Sequence, residues 1–413
     1  MGGIKMKRRK LATLLLGAIM TTSIFAGCTK NNNTPASAAD DSKEVVVRLG
    51  CWGGNDAETK MLDDQIQAFQ TKNPNIIIKK EVITGDYLQA IQSKIASKTA
   101  PDIYYLDVSL ASKFMKEGII DPIDDYIDKE DMKDFFPNLL QGYQMNGKTY
   151  GIPKDYNPLV LYYNKDMFDK AGIKPPTTWD ELKTAAEKTT TGNVKGFCLE
   201  NDPQRFGAFI LQNGGKINDG DKPAFNTPEA AQALDFYYSF AKNKTGATFK
   251  DMGTDWAGAA FAQKKTAMIM AGGWVIPYMA QNAPDVKYGM VPLPKGKQDG
   301  NLMFTVAYVL NKDSKHKKEA MEVSKFLTGK DGLKIVAESG LAIPSRKSMA
   351  DVYTAKFPER KALIDATPTA TVANYGLNGS KILDALGKAG EKIQFGQVSD
   401  SATALKEAEA AAK

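Results

Sequence analysis

Short apolar runs and longer amphipathic segments alternate along the chain from residue 44 onward. Glu44–Leu49, Asn75–Val82 and Ile103–Leu106 have the length and the apolar content of buried strands. A segment with apolar residues three and four positions apart follows each of them, which is the spacing of an amphipathic helix. This alternation predicts a layered α/β domain, in which ligands bind beyond the carboxyl ends of the strands.

A second α/β region is predicted after residue 158. Its apolar runs are Leu159–Tyr163, Thr266–Met270, Tyr288–Val291 and Asn301–Asn311, and amphipathic segments separate most of them. Helices at residues 380–392 and 402–411 are predicted to close the chain. A chain of 413 residues is also too long for a single core of ordinary size, so two domains are expected.

The stretch Tyr150–Asp166 lies between the two regions and has an unusual pattern. Pro153 and Pro158 each lack a backbone donor, and they bracket four polar or amphipathic residues. The apolar run Leu159–Tyr163 follows directly. A polar, proline-bracketed strand of this kind suits a hinge between two globular halves, but an ordinary surface loop between core strands fits the pattern equally well.

The first residues have the pattern of a targeting segment. Five basic side chains between residues 5 and 10 precede the apolar run Leu11–Met20, which is shorter than the roughly 20 residues of a membrane span. Phe25-Ala26-Gly27-Cys28 then resembles the lipobox of bacterial lipoproteins, although Phe25 stands where Leu is usual. Residues 1–27 are therefore predicted to be a lipoprotein signal peptide, with Cys28 as the lipid-modified first residue. Secretion with cleavage elsewhere is the alternative.

Residues 28–43 are rich in Asn, Ala, Ser and Pro and have no apolar period, which predicts a flexible tether. Removal of residues 1–27 takes away five basic side chains and no acidic ones. The net charge then falls from +6 to +1, with 49 basic against 48 acidic residues. The basic character therefore belongs to the signal segment, and this argues against a nucleic-acid partner.

The composition also limits the chemistry that the chain can carry. Apolar content of 43% and charged content of 25% are those of an ordinary soluble globular protein. Cys51 and Cys198 fall in different predicted domains, so two free, buried thiols are expected rather than a bridge. His316 is the single histidine and lies in a very polar run near a predicted helix start. With so few His and Cys, neither a zinc site nor a His-based catalytic triad is expected, and no metal or cofactor is predicted.

Polar and aromatic side chains stand where several predicted strands end. Trp52, Asn55 and Asp56 follow the first strand, and Asp107 follows the third. In the second region, Trp274 follows Gly272 and Gly273 at the end of a strand, where glycines let the backbone approach a bound group. Ligand-binding positions are expected at such strand ends.

Six motifs in a fixed order carry a resemblance to a known family. They lie at Gly50–Asp56, Ala100–Asp107, Tyr150–Ile173, Pro176–Leu182, Ala271–Met279 and Leu341–Ser348. Together they resemble the extracellular solute-binding proteins of sugar ABC importers, the group that includes maltose-binding protein. The resemblance implies an α/β protein with a two-lobed, periplasmic-binding-protein-like (type II) fold, a hinge and an interlobe cleft. It also implies that the protein is no enzyme.

The resemblance further implies how the chain is divided between the lobes. The N-terminal lobe would hold residues 44–154 and 305–345, and the C-terminal lobe residues 158–303 and 346–413. Three crossings would join them, near residue 155, near residues 303–304 and at residues 344–347. Such proteins close on their ligand by a hinge motion.

Aromatic faces that stack on sugar rings and polar groups that bond to hydroxyls are what a sugar site needs. The ligand-binding residues expected on this basis are Trp52, Asn55, Asp56, Asp107, Asp155, Tyr156, Asn157, Trp256 and Trp274. The family resemblance implies three more near the rim of the cleft, which are Tyr308, Arg346 and Tyr375. Some alternatives stay open: Trp256 could be a packing anchor, Asp107 could cap the next helix, and Lys154 could face solvent. Trp179 opens a helix and is expected to be structural.

The expected function is capture of a neutral sugar or oligosaccharide, maltodextrin-like, and its delivery to the transmembrane subunits of an ABC permease. The protein would be a monomer, lipid-anchored to the outer face of the bacterial cytoplasmic membrane. One rival is a secreted glycosidase that pairs Asp107 with Asp155 or Asp56 across a sugar. Another is a lipoprotein that presents its ligand to a membrane sensor.

Overall fold

The computed structural model of the protein describes residues 44–53 and 56–413. The predicted signal peptide, the tether, Cys28 and Asn55 lie outside these residues, and so does the side chain of Asp56. The strands are β1 Val45–Trp52, β2 Ile76–Ile83, β3 Ile103–Asp107, β4 Gln144–Met145, β5 Lys148–Thr149, β6 Gly151–Pro158, β7 Val160–Asn164, β8 Lys195–Leu199, β9 Asn218–Asp219, β10 Lys222–Pro223, β11 Gly246–Thr248, β12 Thr266–Ala271, β13 Tyr288–Pro292, β14 Asn301–Leu310, β15 Ile343–Pro344 and β16 Ala370–Val372.

The helices alternate with these strands. They are α1 Asp56–Lys72, α2 Tyr87–Ala96, α3 Val108–Lys116, α4 Lys129–Met132, α5 Pro137–Gln141, α6 Lys165–Ala171, α7 Trp179–Thr189, α8 Pro203–Gln212, α9 Pro228–Lys242, α10 Ala257–Ala262, α11 Val275–Asn282, α12 Lys317–Leu327, α13 Lys330–Ser339, α14 Lys347–Lys356, α15 Lys361–Asp365, α16 Gly379–Gln394 and α17 Ser401–Ala412. No helix in this described part of the chain is long and apolar enough to cross a membrane.

The first sheet has the strand order β15-β6-β14-β3-β1-β2, and β16 pairs with one end of β14. β1 is parallel to both β2 and β3, whereas β14 is antiparallel to β3 and β6. Val47 and Leu49 of β1 and Ile103 and Leu106 of β3 are fully buried because helices cover the sheet. The three strands predicted for the first region are confirmed. Their ends lie within one residue of the prediction, except that β1 extends to Trp52 instead of Leu49.

The second sheet has the order β11-β8-β12-β7-β13. β7 is antiparallel to β12 and β13, and β8 is parallel to β11 and β12. Its core packs against α7, α8, α9 and the closing helices α16 and α17. Strand β8 and helix α8 were not predicted, because Lys195 and Gly196 leave only a three-residue apolar run in β8.

The proline-bracketed stretch forms strand β6, which is paired on both sides. β14 lies along one edge of β6 and β15 along the other, so the interpretation as a surface loop is wrong. Leu159 and Val160 then lead directly into β7 of the second sheet. The backbone N–H of Leu159 donates to the carbonyl of Leu302, and the amide of Asn301 donates to the carbonyl of Leu159. The passage between the sheets is therefore braced by β14.

Single side chains define the start of two helices, and one tight turn has left-handed backbone. Asp86 caps α2 by accepting from the backbone N–H of Gln89 at 3.0 Å, and Thr178 caps α7. The turn between β4 and β5 has a positive φ at both Asn146 and Gly147. Cys51 and Cys198 are buried and unbridged, as predicted.

Candidate functional site

A β-bulge in β6 places two consecutive charged side chains on one face of the first sheet. Val306 of β14 lies opposite Asp155, but the next residue of β14, Ala307, lies opposite Pro153. Lys154 is therefore an extra residue that no residue of β14 faces. Pro153 is tolerated inside a sheet because it adjoins this irregularity.

A cavity of about 270 Å³ opens above this bulge. Four of the predicted site residues line it: Trp52, Asp155, Asn157 and Trp274. The lining residues that were not predicted are Cys51, Glu58, Thr59, Met61, Leu62, Lys80, Val82, Tyr105, Lys154, Val306, Leu341 and Ala342. The structure thus brings together residues that lie more than 200 positions apart in the sequence.

Trp52 forms one wall of the cavity at the carboxyl end of β1. Its indole meets the rings of Tyr87 and Tyr105 edge-on, with ring centroids 5.2 and 5.0 Å away. The Tyr87 hydroxyl donates to the backbone carbonyl of Tyr105 at 2.9 Å, which fixes the Tyr87 ring. Trp52 itself is half-buried, so part of its surface is free to contact a ligand.

The floor of the cavity carries an ion pair between Lys154 and Asp155. The ammonium of Lys154 also lies 4.9 Å from the ring centroid of Tyr105. Burial by itself would lower the pKa of Lys154, but the neighbouring Asp155 carboxylate raises that pKa above its ordinary value. Lys154 therefore stays charged and offers donors to the cavity.

Trp274 also lines the cavity, at the point where β12 ends and α11 begins. A Cβ atom on Gly272 would lie 2.2 Å from the Trp274 ring, so glycine is required at that position. Asn157 accepts a hydrogen bond from the backbone N–H of Gly273 at 3.1 Å. Phe304 meets the indole edge-on at 5.8 Å, and the Trp274 side chain is held half-buried.

A charged cluster behind Trp274 was missed by the sequence analysis. The Arg205 guanidinium lies 5.2 Å from the Trp274 ring centroid, and its Nε is 3.4 Å from the carboxylate of Glu200. Asp202 is a second acidic neighbour of Arg205 at 3.8 Å. Burial raises the pKa of Glu200, and Arg205 offsets only part of that shift. These residues lie around β8 and α8, two of the elements that the hydrophobic pattern did not indicate.

Several predicted site residues lie away from this cavity. Asp107 caps α3 by accepting from the backbone N–H of Ser109 at 2.9 Å. The structure thus shows the helix cap that the sequence left open as an alternative to ligand binding. Tyr156 points to the opposite face of β6 from Asp155 and is fully buried against Phe136. The expectation that all three residues from 155 to 157 face the cleft therefore fails for Tyr156.

Trp256, Tyr308 and Tyr375 also do not line the cavity. Trp256 meets Tyr278 edge-on at 4.7 Å and packs on the core. Tyr308 is buried beneath Lys154, on the same face of the sheet. Tyr375 is buried, and within the described ranges its hydroxyl has no hydrogen-bond partner. Trp179 stacks on Phe236 at 4.3 Å, in keeping with its expected structural role.

Arg346 is buried in a hydrogen-bond network of its own. Its Nε donates to the carbonyl of Thr328 at 2.6 Å, and its two terminal nitrogens donate to the Asp131 carboxylate at 2.8 and 2.6 Å. The guanidinium also lies 4.3 Å from the ring centroid of Phe135. Arg346 therefore ties the third predicted crossing to helix α4, which contains Asp131. Across residues 44–53 and 56–413, no group of His, Cys, Asp and Glu side chains is arranged to hold a metal ion.

A sequence profile described as bacterial extracellular solute-binding protein matches residues 64–365. That match spans most of the chain, including β3, β6, β7 and β12 and both sheets. The chain belongs to the bacterial extracellular solute-binding proteins. The predicted family resemblance is thus confirmed.

Relatives of this solute-binding protein align along most of their length. A putative binding protein of Brucella abortus is 29% identical over 361 residues, which is 84% of this chain and 87% of the relative. The arabinooligosaccharide-binding protein of Bacillus subtilis is 26% identical over 344 residues, covering 79% and 77% of the two chains. The multiple sugar-binding protein of Streptococcus mutans is also 26% identical over 344 residues, covering 76% and 77%.

Solved structures of similar fold are two-lobed binding proteins. An ABC substrate-binding protein from Listeria monocytogenes in complex with cycloalternan has a TM-score of 0.80 at 24% identity, over 90% of this chain and 98% of that one. A receptor of Streptomyces glaucescens, solved without ligand and with acarbose, has a TM-score of 0.78 at 22% identity, over 89% and 97%. The predicted two-lobed fold is therefore confirmed for this solute-binding protein.

Proposed function

We propose that this solute-binding protein binds a neutral sugar or oligosaccharide in the cavity between Trp52 and Trp274. The observation that carries the proposal is that two half-buried tryptophans, one from each sheet region, line the same cavity as the polar side chains of β6. Indole faces stack on the C–H faces of sugar rings, and carboxylate, amide and ammonium groups bond to the hydroxyls. Lys154, Asp155 and Asn157 would supply those polar contacts.

The charge balance of the site supports a neutral ligand. Lys154 is paired with Asp155, Lys80 with Asp63, and Arg205 lies beside Glu200. An anionic ligand would have to displace one of these carboxylates, whereas a hydroxyl can bond to a cation and its carboxylate together. Named relatives bind arabinooligosaccharides and multiple sugars, which also favours a sugar ligand.

Strands β6, β14 and β15 would form the hinge on which the lobes close. They lie side by side in one sheet, and two of them contain proline. The lobe boundaries proposed for this motion are residues 44–154 with 305–345, and residues 158–303 with 346–413. Small-angle scattering should show a smaller radius of gyration with saturating sugar than without it. An unchanged radius would contradict the hinge.

The bound sugar would be delivered to the transmembrane subunits of an ABC permease, and the protein would act as a monomer. No catalysis is proposed, because Asp107 caps α3 and does not line the cavity with Asp155. Incubation with oligosaccharides should therefore release no new reducing ends. Release of reducing ends at a steady rate would favour the glycosidase instead.

Membrane attachment would come from a lipid on Cys28. Cells fed an alkyne-labelled fatty acid should label the wild-type chain but not Cys28→Ala, and the variant should leave the salt-washed membrane fraction. Cys198→Ser is the matched control because that thiol is buried, and it should label normally. Equal labelling of Cys28→Ala would exclude the lipoprotein assignment.

The proposed ligand class is tested by a thermal-shift screen of neutral sugars, sugar phosphates and amino acids. A ligand that binds only the native state raises the apparent melting temperature by mass action. We expect neutral sugars alone to do so, with affinity confirmed by calorimetric titration. Stabilisation by sugar phosphates in place of neutral sugars would contradict the charge argument.

A further inference from the structure

A second feature of the first sheet lies at the end opposite the cavity. An open groove of about 340 Å³ is lined there by the start of β1, the loop that joins α2 to β3, and the loop that joins β14 to α12. The groove-lining cations are Arg48, Lys79, Lys98 and Lys315, and the acidic lining residues are Asp102 and Asp313. The groove therefore carries an excess of positive charge, although the chain without residues 1–27 is nearly neutral.

The three lysines that line the groove are available to bind an anion outside the protein. Lys79, Lys98 and Lys315 are exposed, and within the described part of the chain none of them forms an ion pair. Arg48 differs from them, because its guanidinium binds the Glu81 carboxylate at 2.6 and 3.0 Å. The unpaired positive charge of the groove thus comes from the lysines.

The groove is held rigid by hydrogen bonds between its three segments. The Asp102 carboxylate accepts from the backbone N–H of Arg48 at 2.8 Å and from the hydroxyl of Ser314 at 2.6 Å. The side-chain amide of Asn311 donates to the carbonyl of Ala100. Asp102 is buried by these contacts, so Asp313 is the exposed acidic residue of the lining.

The loop after β14 concentrates basic residues beyond the groove itself. Lys312–Lys318 contains four lysines and His316, the polar run that the proposed sugar site does not use. Lys317 pairs with Asp121, whereas Lys312 and Lys318 are exposed and, among the described residues, without an ion pair. Val46 of β1 also lines the groove and is 44% exposed, so an apolar side chain lies among the cations.

We propose that this groove is a docking surface for the anionic headgroups of the membrane to which the chain is tethered. The described chain starts at Glu44, two residues before Val46, so the predicted tether of residues 28–43 joins the domain beside the groove. An anionic membrane attracts lysines near its surface and accepts a small apolar side chain at its boundary. The proposal rests on the proposed lipid anchor for its choice of partner.

Docking in this way would set the direction in which the cavity faces. Val46 and Trp52 are six residues apart on one strand, so the groove and the cavity are about 20 Å apart along β1. With the groove on the lipid, the sugar site would point away from the membrane. The ligand-free protein would then rest on the membrane with its cleft directed outward. It would have to leave the lipid surface before its cleft could face a permease.

The test uses the processed chain that begins at residue 28, with Cys28→Ala so that no lipid is attached. It is sedimented with vesicles of phosphatidylcholine alone or of an equal mixture with phosphatidylglycerol. We expect binding to the mixed vesicles at low salt, no binding to phosphatidylcholine, and loss of binding at high salt. No binding to mixed vesicles at low salt would overturn the proposal.

Replacement of the groove lysines locates the surface. Lys79→Gln, Lys98→Gln and Lys315→Gln together should weaken vesicle binding on the order of 100-fold, because each lysine near an anionic membrane contributes a factor of about five. The control triple is Lys170→Gln, Lys188→Gln and Lys264→Gln, whose lysines are also exposed. The control should bind as the parent chain does, and an equal loss in both triples would overturn the proposal.

Two further measurements keep the result specific. A triple Lys→Arg variant at the groove should restore binding, and the melting temperatures of all three variants should match the parent because these side chains are exposed. Inorganic phosphate that displaces the chain better than chloride at equal ionic strength would indicate a single-anion pocket and contradict membrane docking. The assay contains no sugar, so its failure would leave the proposed sugar binding intact.

Discussion

Lys154 and Arg346 lie on two segments that join the predicted lobes. The two side chains differ in how many of their hydrogen-bond donors have partners within the protein. The Arg346 side chain is 3% exposed, and its guanidinium binds Thr328 and Asp131. The Lys154 side chain is 15% exposed at the cavity and has one carboxylate partner, Asp155. An ammonium has three donors, so Lys154 keeps donors for a ligand whereas the donors of Arg346 are engaged.

This comparison reverses what the sequence suggested for both residues. The family pattern favoured Arg346 as a ligand residue, and Lys154 could have been solvated. Both are cations within two residues of a strand proline, Pro153 or Pro344, so residue type and position do not separate a structural cation from a binding one. The number of unused donors does separate them, and the following experiments test that distinction.

The largest effect is expected for Arg346→Ala. The substitution leaves the Thr328 carbonyl and the acidic side chains around it without their cation, which costs about 3–5 kcal/mol of unfolding free energy when a buried pair is broken. Because Asp131 is half exposed, we expect the lower end of that range. Urea denaturation measures the loss. A normal stability with a strongly reduced sugar affinity would reassign Arg346 to the ligand site.

Trp274→Ala should act on affinity rather than on stability. Loss of its stacking face should cost roughly 2–4 kcal/mol, as for an anchor residue at a binding surface, or about 30- to 1,000-fold in affinity. Calorimetric titration with the best sugar measures this. Trp256→Ala is the matched control, because Trp256 packs on the core, and it should lower the melting temperature while affinity stays the same. A loss of affinity in Trp256→Ala together with a loss of stability alone in Trp274→Ala would assign the sugar site to Trp256 instead.

Asp155→Asn should weaken sugar binding by about 1 kcal/mol, because a charge-assisted hydrogen bond to a hydroxyl becomes a neutral one of roughly half its strength. Asp107→Asn makes the same chemical change at the end of β3. Its affinity should be unchanged, since asparagine also caps helices and Asp107 does not line the cavity. If Asp107→Asn lost affinity as Asp155→Asn does, the assignment of Asp107 to the helix cap alone would be wrong.

The smallest effect concerns Glu200, which burial makes a weaker acid in the folded protein. A carboxyl with a raised pKa in the folded state favours folding at low pH, and this contribution is lost as the pH rises from about 4.3 through the raised value. The melting temperature of Glu200→Gln relative to that of the parent should therefore be higher at pH 8 than at pH 4. A pH-independent difference would show that Arg205 fully compensates the buried charge.

The hydrophobic pattern was sufficient for most of the fold because long apolar runs leave few alternatives. Runs such as Ile103–Leu106 and Thr266–Met270 are buried on both faces and became strands β3 and β12. Strand β8 was not predicted because it begins with Lys195 and Gly196, which leave only a short apolar run. Helix α8, which follows β8, was not predicted either. Arg205 and Glu200 could therefore not be recognised as neighbours of Trp274.

The site was partly predictable because strand ends are visible in a sequence. Trp52 and Trp274 both follow an apolar run and both line the cavity. Tyr156 was misplaced because residues 155–157 alternate regularly between the two faces of β6, so all three could not face the cleft. The direction of Lys154 was not predictable, because the bulge turns it to the same face as its neighbour Asp155.

The bulge at Lys154 has a consequence for how such a site can change by insertion and deletion. In a regular strand, removal of one residue would turn every following side chain to the other face. Here the deleted residue would be the one that β14 leaves unpaired, so Asp155 and Asn157 would keep their partners Val306 and Phe304. A single-codon deletion at position 154 would thus remove one positive charge from the cavity floor and leave the rest of the strand in register.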